Sequence, residues 1–63
     1  MDQTGKLLSR VAENARTGYD AASQLLARTQ DEEMRRELAS ERDYYRDAAR
    51  DAEEKLGRLG VKF

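Results

Sequence analysis

Of the side chains that do chemistry, this chain holds carboxylates in quantity, three tyrosines and scattered serines, but no histidine and no cysteine. Without cysteine there is no disulfide, no thiol nucleophile and no thiolate metal site. Without histidine the commonest metal ligand and general base is missing as well. Ser9, Ser23 and Ser40 stand apart from any activating residues and read as ordinary helix-surface serines. No glycine-rich turn is present to cradle a phosphate. Acids interrupt every basic cluster, as in "MRRE" and "RDAARDAEEK", and the formal net charge is −1. Nucleic acid is therefore not an expected partner. The composition predicts neither an enzyme nor a cofactor.

One carboxylate is out of place. In "MRRELASERDYYRDA", Met34, Leu38, Tyr45 and Ala48 recur at helical spacing, yet Glu41 stands between Leu38 and Tyr45. Four-helix bundles bind metal through inward glutamates and a Glu-x-x-His pair. The nearest string here is Glu41-Arg42-Asp43-Tyr44, with tyrosine in the histidine position. A metal held by Glu41 from several subunits is the alternative reading. The favoured one makes Glu41 a seam residue that accepts a hydrogen bond from a tyrosine hydroxyl, Tyr19 or one across an interface. Such a polar group would fix register in the manner of a polar coiled-coil position. Tyr45 reads as a core aromatic, and Tyr44 as a half-buried border residue or partner contact.

The elements that position these residues are helices. Proline is absent, and Ala, Glu, Arg and Leu recur with a period of 3.5 to 3.6. A first helix is predicted over about 4–28, with a seam of Leu8, Val11, Ala15, Gly18, Ala22 and Leu25 flanked by Ala12, Tyr19 and Leu26. A turn follows at about 29–31, where Thr29 and Glu32 fit a capping box beside Asp31 and Glu33. The second helix is predicted over about 31–59, ending at Gly60 in a left-handed stop with Val61 against Leu56. Gly57 competes as a stop, and 60–63 form a short tail in which Phe63 docks or dangles. Opposite charges such as Asp51 with Lys55 and Glu54 with Arg58 make a solvated outer face.

So short a turn makes the helices antiparallel neighbours. A turn centred near residue 30 sets Leu38 on Ala22, Tyr45 on Ala15, Ala52 on Leu8 and Glu41 on Tyr19. The fold expected is an all-α two-helix hairpin forming one domain. Sixty-three residues bury a small core, and a lone hairpin leaves Leu7, Leu26, Met34, Ala49, Leu56 and Leu59 on its flanks. A second hairpin completing a four-helix bundle would cover them, so a dimer or higher oligomer is expected. A foreign amphipathic helix is the alternative occupant, making the chain an adaptor. No apolar run is long enough to span a bilayer, and "MDQTGKLL" has no signal-peptide core. A membrane-surface helix would need a dense basic face, which is lacking. A cytoplasmic location is the expectation.

The string from Leu7 to Gly60, with "NARTGYDAASQLL", "DEEMRREL", two tyrosines and a terminal "LG", resembles the first helical hairpin of small ferritin-like bacterial proteins of uncharacterised function. Those relatives continue into a second helical pair. The layout is also similar to encapsulated ferritins, where helical hairpins assemble into a ring with iron at the interface. Alignment on "DEE" puts Ala15, Ala22, Tyr45 and Ala48 where that family has its Glu, Tyr, Glu and His ligands. The resemblance thus implies a ferritin-like scaffold without its ferroxidase ligands, and weak binding of iron, manganese or zinc.

Overall fold

With no proline to interrupt either apolar period, the chain forms two long helices. The computed structural model describes residues 3–60, in which α1 spans Gln3–Arg28 and α2 spans Glu32–Arg58. They lie side by side as an antiparallel hairpin, a rod 44 Å long and 14 by 13 Å across. No strand occurs among the described residues, and no helix there is long and apolar enough to cross a membrane.

The turn uses its polar residues differently from the expected capping box. Asp31, in extended backbone geometry, is the N-cap of α2, and its Oδ1 accepts the Met34 N–H at 2.9 Å. Thr29 instead finishes α1, its hydroxyl donating to the Leu25 carbonyl at 2.6 Å. A carboxylate at the positive end of α2 gains both the hydrogen bond and the dipole attraction. Glu32 and Glu33 add further negative charge in the first turn.

Arg35 closes the turn from the other side. Its Nη1 donates to the carbonyls of Leu26 at 2.7 Å and Thr29 at 2.8 Å. A side chain of α2 thereby satisfies carbonyls at the C-terminus of α1 and places positive charge on that negative end. At the far end Gly60 takes φ of 80° and its N–H reaches the Gly57 carbonyl, the stop expected there. Gly57 itself is helical, so it does not end α2. The expectations for Val61 and Phe63 lie outside the described residues.

The seam is made of small residues. Gly5, Ala12, Ala15 and Ala22 are buried on α1, and Leu38, Ala49, Ala52 and Leu56 on α2. Leu8, Leu26 and Tyr45 are half-buried beside them. Val11 and Leu25, expected in the seam, are exposed instead, as is Tyr19, while Leu7, Met34 and Leu59 are exposed on the flanks where they were expected. The α1 seam is thus rotated onto the row Gly5, Leu8, Ala12, Ala15, Ala22 and Leu26. Leu56, expected on a flank, is fully buried, and so nearly is Ala49. The register differs too, since Tyr45 lies on Gly18, one turn of α1 beyond Ala15.

Candidate interaction surface

Helical geometry gives the hairpin two unlike long sides. On one, a groove runs between Val11, Asn14 and Ala15 of α1 and Tyr44, Tyr45 and Ala48 of α2. Leu7 and Leu25 share the α1 face of Val11 through their spacing of four and seven residues from Val11 and Gly18. Met34 lies two heptads before Ala48 and so shares its face of α2. Leu7 is 64% exposed, Leu25 54% and Tyr44 69%, so this side presents large apolar groups to solvent.

The opposite side is charged. Arg16, Tyr19, Asp20, Arg46, Arg50 and Glu53 line its groove. Arg16 and Glu53 form an ion pair across the two helices. Arg46 engages both Asp43, at 3.5 Å, and Asp47, at 3.2 Å. The expected pairs Lys55–Asp51, at 2.9 Å, and Arg58–Glu54, at 2.6 Å, are also present on α2, the first of them one heptad beyond Tyr44 and Ala48 and so on the face those residues share. Exposed pairs of this kind contribute at most about 1 kcal/mol each. They keep the outer surface of the hairpin wetted.

Glu41 is exposed, and no charged or polar residue among those described is buried. It sits seven residues from Ala48, hence on the apolar side, whereas Tyr19 lines the charged groove. The expected Glu41–Tyr19 contact is therefore absent, because the rotated seam puts the two residues on different sides. The polar position between Leu38 and Tyr45 in the seam is Arg42. It is half-buried, with Nε donating to Asp43 at 3.2 Å. An arginine fits there because its aliphatic stem covers the alanine row while its head reaches solvent.

Tyr45 stands edge-on to Tyr44, ring centroids 5.6 Å apart, and its ring covers Gly18. A Cβ at Gly18 would lie 2.6 Å from Tyr45 Cε1. We expect Gly18→Ala to destabilise by about 1–3 kcal/mol through overpacking, outweighing the roughly 0.5–1 kcal/mol an alanine adds inside a helix. In a Tyr45→Ala background the sign should reverse, leaving only the helical gain. Urea titration of the four chains checks this, and an equal effect in both backgrounds would mean that the ring does not occupy this site.

No nucleophile and base meet among these groups. Ser23 Oγ is buried without a hydrogen-bond partner, and Ser40 is exposed. No cluster of three or more Asp and Glu that could hold a metal occurs among the described residues. Ala15 and Ala22 are buried seam residues. The sequence pattern placed Leu38, Leu8 and Tyr45 at or beside the seam, but it gave the cap to Thr29 where Asp31 holds it, and it passed over Arg35. An arginine four residues after an aspartate that follows a helix break is the signal for that double cap. No family model, curated protein or solved structure matches this chain.

Proposed function

We propose that the chain is a self-associating helical hairpin, a structural or interaction module and not an enzyme. The observation that carries this reading is the distribution of apolar bulk. The seam inside the hairpin is mostly alanine, while Leu7, Val11, Leu25, Met34 and Tyr44 remain exposed. A core of alanines and two buried leucines removes little apolar surface from water, whereas the exposed row would remove more if covered. The cheapest cover is a second hairpin, which turns two marginal pairs into one four-helix bundle.

The test is a thermal melt followed by circular dichroism at several protein concentrations, with mass by sedimentation equilibrium. A dimer that is more stable than its parts should gain on the order of 5 °C in Tm for each tenfold rise in concentration. A concentration-independent melt with a monomeric mass overturns the reading and leaves the apolar side to a foreign amphipathic helix. Tight, stoichiometric iron uptake lost in Glu41→Gln would instead favour a metal site shared between subunits.

A further inference from the structure

Resting on the self-association just argued, we infer that the occupant of the apolar side is a second copy lying antiparallel, its turn over the first copy's open end. On α1 the outward row is Leu7, Val11, Asn14, Gly18, Ala21 and Leu25. Its spacings, four and three in alternation, read the same from either end, and the row turns on residue 16. A copy running the other way places its Leu25 opposite Leu7, its Ala21 opposite Val11 and its Gly18 opposite Asn14. A larger residue then faces a smaller one at the inner pairs, while Leu7 and Leu25 meet at each end of the contact.

The neighbouring row of α2 has the same property. It begins with Met34 and Glu37, ends with Lys55 and Arg58, and turns on residue 46, between Tyr44 and Ala48. The Gly18–Tyr45 contact sets residue 16 level with residue 47, one helical rise of about 1.5 Å from that midpoint. A single two-fold axis through the middle of the hairpin therefore brings both rows into register at once.

Charge selects the same orientation. The turn end gathers Asp31, Glu33 and Glu37 around Met34, while Lys6 and Arg10 flank Leu7 at the open end. The antiparallel pair sets Glu37 against Lys55 of the second copy, twice by symmetry, and Arg58 opposite Met34. The pair with both turns at one end would instead stack Lys6 and Arg10 on Lys55 and Arg58. One unfavourable meeting remains, Glu41 with Asp51 of the second copy, and Lys55 lies 2.9 Å from that Asp51. Asn14 is the single polar side chain in the α1 row and falls beside the axis, where a polar group enforces register.

The chain has no cysteine, so single substitutions report the geometry directly. Val11→Cys and Ala21→Cys are both close to isosteric, and circular dichroism will show whether each variant keeps its helicity. Like positions sit about 15 Å apart along the bundle in the antiparallel pair, beyond the roughly 7 Å limit for a disulfide. Each variant alone should therefore crosslink little. Their mixture should give the heterodimer up to its statistical share, several-fold above either variant alone. Crosslinking of Val11→Cys with Asp51→Cys instead would place both turns at one end and overturn this axis while leaving self-association intact. A dimeric mass with neither crosslink also overturns the axis. A monomeric mass for the unsubstituted chain removes the self-association on which the axis rests.

Discussion

Leu56→Ala should leave the chain largely unfolded in dilute solution at room temperature. Among the described residues Leu56 is the one large side chain that is completely buried, and most other buried residues there are alanines that cannot compensate for its loss. Removing a buried leucine side chain costs about 2–5 kcal/mol, the upper part of the range applying where neighbours cannot collapse. A core of this size supplies only about 3–5 kcal/mol in total. Leu56→Met keeps most of the volume and should cost less than about 1.5 kcal/mol. Helicity measured across a urea titration at low protein concentration separates the two. A Leu56→Ala chain that unfolds at the unsubstituted midpoint would mean that the open end is not packed around this leucine. Raising the protein concentration should recover part of the lost helicity, since assembly adds stability by mass action.

The second large effect is expected at Arg35. Its Nη1 holds two carbonyls at the end of α1, so Arg35→Met keeps the stem and deletes both bonds. Hydrogen bonds from a charged donor are worth about 1.5–3 kcal/mol, and water reaching this half-buried site moves the cost toward the lower figure. The charge also faces the negative end of α1, a further contribution of about 0.3–1 kcal/mol that salt weakens. Arg35→Lys restores a charge without the reach and planarity of the guanidinium and should recover only part of the loss. Thermal melts of the three chains at low and high salt measure both contributions. If Arg35→Met melts within a degree of the unsubstituted chain, solvent satisfies those carbonyls equally well.

The hairpin itself was legible in the sequence because period, breaks and caps agree. An unbroken helical period on both sides of "ARTQDEE" leaves little but two antiparallel helices, and Gly60 stops the second as its left-handed backbone requires. The face was harder to read, because α1 carries two parallel rows. Val11 and Ala12 are both apolar, as are Leu25 and Leu26, so periodicity alone cannot choose between rows about 100° apart. Bulk favoured Val11 and Leu25. The hairpin instead buries Ala12, alongside the expected Ala15 and Ala22, since a row of small residues lets the two backbones approach closely.

That rotation also displaced the candidate polar position. With the seam on Leu38, Tyr45, Ala49, Ala52 and Leu56, heptad spacing puts Arg42 between the helices and Glu41 outside them. The register was misjudged for a related reason. Thr29 resembles a cap in sequence, but Asp31 two residues later performs that role, and the turn shifts accordingly. The apolar side was visible in outline from Tyr44 and the flanking leucines. Its separation from a charged side was not, because it depends on Tyr19 lying with Arg46 and Glu53, across the hairpin from Tyr44.

The bridge that Arg35 makes over the turn has a kinetic consequence. Its bonds join residues six and nine apart in the chain, so they close with little loop entropy spent. Asp31 and Arg35 together turn the connection into a preformed corner from which the two helices can zip outward. Each further layer then adds contacts between residues only slightly more distant than the last, the condition under which helical proteins fold fastest. Opening runs in the reverse order, beginning at the open end where Leu56 packs into the seam and reaching the corner last.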